Sequence, residues 1–332
     1  MRIGFVVFTA AQLIHHACAT TTTTPDKNAN ATVEIVGQLL SSPQFNDFDA
    51  TRDHSNQGPA ADMAHDDQHH QHDHHHGHGH GGTHANQQYF DEQASDYDRK
   101  HQKTLDQIIR EIRSRLDFLG ADWVGEDEEN EGPDGKPKRQ VRLLDYACGT
   151  GVVSRKNQKK KKALAPYTTQ CIGLDLSQGM VDAYNRAAAN QGIPPEEMRA
   201  CAANLLEGDD DGPASVSGPE FRDFDVAAVG LGFHHFDDPE LAARRLVRRL
   251  RPGTGVLFII DFAPHGAFEK GHPATETVMH HGFSEARIRE VFARAGAGKG
   301  FGISDMGEVV FWKGEDVMHK RRLFVARGQR ED

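Results

Sequence analysis

The stretch that most constrains the fold runs from Val141 to Ser177, VRLLDYACGTGVVSRKNQKKKKALAPYTTQCIGLDLS. An apolar run, Val141 to Tyr146, leads into Ala147-Cys148-Gly149-Thr150-Gly151, and a second run, Cys171 to Leu174, ends in Asp175. The order reads as strand, glycine-rich turn, helix, strand and acid. Glycine reaches positive φ at little cost and lacks a Cβ, so Gly149 and Gly151 suit a turn against which a ligand packs closely. A carboxylate at the end of the second strand suits a ribose diol.

At 332 residues the chain is long enough for one large or two small domains with a sizeable core. Its apolar residues are unevenly spread, and residues 20–88 and 125–140 hold few of them. A net charge of -11 argues against a general nucleic-acid binder, because phosphate contacts need a basic field. Cys18, Cys148, Cys171 and Cys201 are widely spaced and form no CxxC pair, which suggests neither a disulfide scaffold nor a zinc knuckle.

Four segments follow from composition. Residues 1–19 combine Met1-Arg2, an apolar stretch from Ile3 to Ile14 and the small residues Ala17-Cys18-Ala19. That pattern fits either a cleavable signal peptide or a short helix packed on the body. It is too short to span a membrane, so no stable membrane insertion is expected and the default compartment is cytoplasmic. Residues 20–88 are of low complexity, histidine-rich from His65 to His84, and buried apolar surface is too scarce there for folding alone. Imidazoles at this density bind transition metals loosely, but no fixed ligand spacing specifies a site, and no metal is expected. Residues 89–140 open on the aromatic and acidic segment Tyr89 to Asp98. Leu105, Ile108, Ile109, Ile112, Leu116 and Leu119 then recur at helical spacing as far as Gly120, before an exposed acidic loop from Glu126 to Lys138.

Residues 141–327 carry the alternating units. A helix is expected from Val152 to Tyr167, interrupted by the lysine-rich run Arg155 to Lys162. Strands at Gln170–Asp175, Met198–Ala203, Phe224–Leu231 and Gly255–Phe262 alternate with helices carrying Met180 and Tyr184, then Ala242 and Leu246. A helix capped by Ser284 and two closing strands, Ile303–Trp312 and Arg321–Ala326, complete the series. The expected fold class is α/β, a Rossmann-like seven-stranded, mostly parallel sheet with helices on both faces and a C-terminal antiparallel strand. In such sheets ligands bind beyond the carboxyl ends of the strands, which gathers Asp145 to Gly151, Asp175, Asn204 and Gly230 to Phe236.

The third glycine decides which ligand. A dinucleotide fingerprint needs G-x-G-x-x-G, and Gly149-Thr150-Gly151-Val152-Val153-Ser154 lacks the last one. With Leu143 to Gly151 and Gly173-Leu174-Asp175-Leu176-Ser177, the chain resembles the class I S-adenosylmethionine-dependent methyltransferases. Phe224-Asp225-Val226, His234-His235-Phe236, Leu250-Arg251-Pro252-Gly253 and Gly282-Phe283-Ser284 resemble later landmarks of that family. The resemblance spans about Tyr89 to Arg327, with the lysine run as an insertion. It implies S-adenosyl-L-methionine as cofactor. It assigns Asp145, Ala147, Cys148, Gly149 and Gly151 to the methionine moiety, Asp175 to the ribose, and Leu176, Asn204 and Leu205 to the adenine. Gly230 and Leu231 would line the methionine side, and Tyr97 would close over the site.

Methyl transfer from a sulfonium is an in-line displacement, so the protein mainly orients the reactants, and a base is needed only when the acceptor loses a proton. His234 and His235, just beyond the fourth strand, are the candidates, with His234 favoured as the nearer to the strand end. Asp261, His265, His280 and His281 stand behind them. The Asn/Asp-Pro-Pro-Tyr signature of nucleobase and glutamine-amide methyltransferases is absent, since Gly230-Leu231-Gly232-Phe233 takes its place. That shifts weight to a small-molecule acceptor. A protein or RNA acceptor, a non-catalytic cofactor-binding regulatory subunit and a nicotinamide-dependent redox enzyme are the other readings. The residues do not specify the oligomeric state.

Overall fold

The computed structural model describes residues 81–125, 139–154, 163–266, 277–313 and 316–332. The possible signal segment, the histidine tract as far as His80 and the lysine run Arg155 to Lys162 lie outside the described residues.

Seven strands form one sheet in the order β3-β2-β1-β4-β5-β7-β6. They are β1 (Arg142–Tyr146), β2 (Gln170–Asp175), β3 (Met198–Ala202), β4 (Val226–Gly230), β5 (Val256–Phe262), β6 (Lys299–Lys313) and β7 (Asp316–Gln329). The first five pair in parallel, whereas β7 runs antiparallel to both β5 and β6 and lies between them. Along the central strands the side chains alternate without a break. Leu144, Tyr146, Ala227, Val229, Leu257 and Ile259 enter the core on one face of the sheet. Leu143, Val226, Ala228, Phe258 and Ile260 enter the core on the other. Both faces are buried, which is why these strands read as continuous apolar runs.

Helices α5 (Pro239–Val247) and α6 (Glu285–Ala295) cover the first face through Ala242, Leu246, Ile288 and Phe292. Helices α2 (Tyr97–Arg113) and α4 (Gln178–Ala189) cover the second through Ile108, Ile112, Val181 and Tyr184. Their ends follow local chemistry. The Ser177, Asp238 and Ser284 side chains accept from Met180, Leu241 and Arg287 N–H groups, and Gly296 ends α6 in the left-handed conformation.

Three boundaries differ from the sequence reading. No helix follows the glycine loop among the described residues: Gly151 to Ser154 form turns, and Ala165–Tyr167 is a single 3-10 turn. Leu164 N–H donates to Val153 O at 3.0 Å, so the residues on either side of the lysine run are neighbours, an arrangement that a continuous helix from Val152 would forbid. The helix expected through Leu119 starts at Tyr97 and breaks after Arg113, where the Ser114 hydroxyl donates back to Glu111 O, before the four-residue α3 (Leu116–Leu119). Finally, α1 (Gly81–Gln93) takes in residues that composition assigned to the low-complexity segment. It has no apolar stripe to betray it, because polar contacts pin it. Thr83 Oγ1 donates to Asp237 Oδ2 (2.8 Å), Asn86 Nδ2 to the His235 carbonyl (3.3 Å), and Asp91 Oδ1 accepts from Ser177 Oγ (2.5 Å) and Gly179 N (2.9 Å).

Candidate functional site

The strand order reverses between β1 and β4, so a crevice opens at their carboxyl ends. Immediately after β1 the backbone turns left-handed at Ala147 (φ 53°), then again at Gly149 (φ 51°) and Gly151 (φ 97°). One residue past β4, Leu231 does the same at φ 62°. A non-glycine residue in this region costs on the order of 1 kcal/mol or more, and both such residues border the crevice. Cys148 N–H bonds Leu174 O (3.2 Å) and Gly151 N–H bonds Cys148 O (2.8 Å), which fixes the turn against β2.

Roofed by α1 and α2, the crevice is a cavity with an empty volume of about 980 Å³, part of it open to solvent. Tyr97, Ala147, Cys148, Gly149, Asp175, Leu176, Asn204, Gly230 and His235 all border it, as the sequence reading expected. Four expected residues do not. Gly151 closes the turn from behind. Leu205 is fully buried in the core, with its carbonyl held by Arg245, and Leu206 takes its place in the wall. Asp145 shares its sheet face with Leu143 and is buried beneath the loop. His234 is turned away: its Nδ1 faces Asp261 Oδ1 at 2.9 Å and its N–H donates to Asp261 Oδ2 at 3.0 Å. Sequence reading missed the contributions of Thr83 and Asn86, which come from α1, and of Asp237.

The carboxylates differ in kind. Asp175 Oδ2 accepts from Gly149 N (2.7 Å) and Oδ1 from Ser177 N (2.9 Å), leaving each oxygen a further lone pair. Burial pushes its pKa up to about 6, against the pull of those two N–H groups. Asp145 has no hydrogen-bond partner of full geometry on either oxygen. Its pKa is pushed up to about 7, by burial first and the nearby Asp175 charge in addition, while Ser154 beside it pulls the other way. Asn204 is engaged at both ends, its Oδ1 accepting from Tyr146 Oη (3.3 Å) and Leu206 N (3.0 Å) and its Nδ2 donating to Glu207 (3.2 Å). Tyr97 is raised to about 12 by burial and by Tyr89, Asp98 and Asp175, so it stays a hydroxyl donor. His235 Nδ1 lies 2.5 Å from Thr277 O, a carbonyl that only accepts, so Nδ1 carries the hydrogen and Nε2 the lone pair. Burial and the neighbouring His234 hold its pKa well below the ordinary value.

These groups fit a nucleoside carrying a cationic side chain better than a dinucleotide. Asp175 offers a diol its two oxygens, and the unsatisfied Asp145 supplies negative charge beneath the loop. Leu176, Leu206 and Phe236 give apolar faces for a base. Among the described residues no Lys or Arg borders the cavity and no helix starts at the loop, so a pyrophosphate would find neither a cation nor a helix N-terminus. Among the described residues no group of three or more His, Cys, Asp or Glu side chains is placed to hold a metal. Gly230 is a steric requirement: a Cβ there would lie 2.5 Å from Val153 Cγ2, and Val153 is fully buried. Gly230→Ala is expected to lower the stability by about 1–3 kcal/mol through overpacking. An unchanged thermal midpoint would show that Val153 gives way freely.

Fold and site together describe an α/β domain whose cavity suits a nucleoside with a cationic side chain. Residues 144–259 match the family described as a methyltransferase domain. An uncharacterized methyltransferase of Schizosaccharomyces pombe is 34% identical over 168 residues, 48% of this chain and 54% of that protein. The demethylmenaquinone methyltransferase of Thermus thermophilus is 29% identical over 133 residues, 40% of this chain and 52% of its own length. The chain thus spans about half the length of the curated relatives it matches. Among solved structures, the complex of DhpI with SAH covers 76% of this chain and 99% of that one at 18% identity, with a TM-score of 0.48.

Proposed function

We propose that this protein transfers the methyl group of S-adenosylmethionine to a nucleophilic O, N, S or C atom of a small-molecule acceptor. The observation that carries the reading is that the Asp175 carboxylate, the Cys148-Gly149 turn and Gly230 border one cavity whose described walls hold no Lys or Arg. When bound, the cofactor would supply an electrophilic methyl carbon to the acceptor's lone pair, with a neutral thioether as the leaving group. The residues of the chain do the rest. Asp175 holds the ribose, the left-handed turn brings backbone within reach of the methionine portion, and Asp145 offsets its positive charge. The roof of α1 and α2 favours a small acceptor, which must fit beneath pinned helices.

His235 takes the base role through Nε2, with Nδ1–H anchored on Thr277 O. His234 positions it, stacked at 4.0 Å between ring centroids and itself held by Asp261. His235→Ala is expected to lower kcat about 100-fold with the Kd for cofactor unchanged. Because the pKa of His235 is depressed, the base form persists as pH falls, and kcat at saturating cofactor should stay level from pH 8 to below 6.5. The assay is incorporation of methyl label from the cofactor into a metabolite extract. A rate unchanged in the His235→Ala variant would remove the base role. Calorimetry with S-adenosylhomocysteine tests the cofactor itself, and saturation by NADH alone would overturn it.

A further inference from the structure

We infer that Asn86 holds an O–H or N–H donor of the methyl acceptor, and that the site therefore takes neutral, donor-bearing acceptors and rejects anionic ones. The inference rests on the methyl-transfer reading and names the acceptor class for that same cavity. Asn86 lies in the second turn of α1, is 6% exposed and borders the cavity. Its Nδ2 donates to the His235 carbonyl at 3.3 Å. A carbonyl only accepts, so this bond fixes which end of the amide is nitrogen and leaves Oδ1 as the other. That Oδ1 is buried and has no hydrogen-bond partner. An orphaned buried acceptor costs about 1–3 kcal/mol, a penalty that a ligand donor removes. The side chain is not free to turn to solvent, because Thr83 on the preceding turn and Asp91 on the following one fasten α1 to Asp237 and Ser177.

The surroundings fix the polarity of the partner. His235, whose carbonyl Asn86 contacts, keeps an acceptor at Nε2 and borders the same cavity as Asn86, Phe90 and Phe236. The charged groups in the wall are Asp175 and Asp237, and no described cation faces them across the cavity. A carboxylate or phosphate there would meet acceptors and anions only, whereas a hydroxyl or amine hydrogen meets what it needs. On the methyl-transfer reading the cofactor is held by groups at the ends of β1, β2 and β3, whereas Asn86 contacts the segment after β4 through the His235 carbonyl.

The test uses the full chain saturated with S-adenosylhomocysteine and three fragments of similar shape, namely phenol, its methyl ether anisole, and benzoate. One neutral hydrogen bond is worth about tenfold in Kd, so phenol should bind about tenfold more tightly than anisole, with benzoate undetected. Asn86→Leu should bind phenol and anisole alike while its Kd for S-adenosylhomocysteine stays unchanged, and Asn86→Asp, which keeps an acceptor, should restore the phenol preference. Equal binding of all three fragments by the wild type overturns the inference, as does a phenol preference that survives in Asn86→Leu. A loss of S-adenosylhomocysteine affinity in Asn86→Leu also overturns it, by making Asn86 a cofactor ligand. Should Asn86→Leu not fold, the wild-type comparison and Asn86→Asp decide. If the wild type takes no S-adenosylhomocysteine, the methyl-transfer reading fails, and the fragment series on the free protein still judges Asn86.

Discussion

Replacing Asp175 with alanine should raise the Kd for S-adenosylhomocysteine at least about 100-fold. Two charge-assisted hydrogen bonds to a ribose diol disappear, each worth about 1.5–3 kcal/mol. The loss does not stop at the ligand. Oδ2 of Asp175 holds Gly149 N–H and Oδ1 holds Ser177 N–H, so alanine also releases the turn that meets the methionine portion and the start of α4. Asp175→Asn keeps one acceptor and should fall between the two. Protonation imitates the substitution. With a pKa near 6 in the ligand-free protein, Asp175 loses its charge as pH falls through that value, and cofactor affinity should fall with it. A Kd within about threefold of wild type in Asp175→Ala would mean that the ribose is held elsewhere.

The parts of this architecture that apolar burial builds were legible in the residues. Strands β1, β2, β4 and β5 are buried on both faces, so each announces itself as a short apolar run closed by glycine or acid. Asp175 and the Gly149 turn were legible for a related reason, since a carboxylate and a left-handed glycine are conspicuous at the end of such a run. What tertiary polar contacts decide was not legible. Helix α1 is fastened by Thr83, Asn86 and Asp91 rather than by an apolar stripe, and its first turns sit in a sequence that composition reads as low complexity. Which of His234 and His235 borders the cavity was not legible for the same reason. Proximity to the strand end favoured His234, but Asp261 on β5 captures both its ring and its amide, and that partner is remote in sequence. A buried acid at the end of the neighbouring strand was the available signal, and Asp261 was visible as such. Leu205 was misplaced because a one-residue offset after β3 exchanges core for cavity.

Asp145 and Asp175 are both buried acids at one site, but only Asp145 has no hydrogen-bond partner of full geometry on either oxygen, and that difference predicts a stability cost. In the ligand-free fold its pKa is raised from 3.8 to about 7, chiefly by burial. The folded state therefore keeps the Asp145 proton where the unfolded chain has released it, and between those two values it binds more protons than the unfolded state does. Stability from this residue is fully present below about pH 4 and is lost as pH rises towards 7. A shift of that size corresponds to roughly 4 kcal/mol. Asparagine does not titrate and is nearly isosteric, so the difference between Asp145→Asn and wild type isolates the effect. The variant should match the wild type near pH 4 and exceed it by several kcal/mol at pH 8, on the order of 10 °C in thermal midpoint. Binding should move the other way. With Asp145→Asn the cationic portion of the cofactor loses its counter-charge, and the Kd should rise about tenfold or more. The same charge makes binding a proton-releasing step in the wild type near pH 6.5, because a cation above the loop lowers the Asp145 pKa. Calorimetry in buffers of different ionisation enthalpy reads that release directly, and it should vanish in Asp145→Asn. A midpoint difference that stays flat from pH 5 to 8 would show that the carboxylate is not held at this cost, and the electrostatic role given to it would go with it.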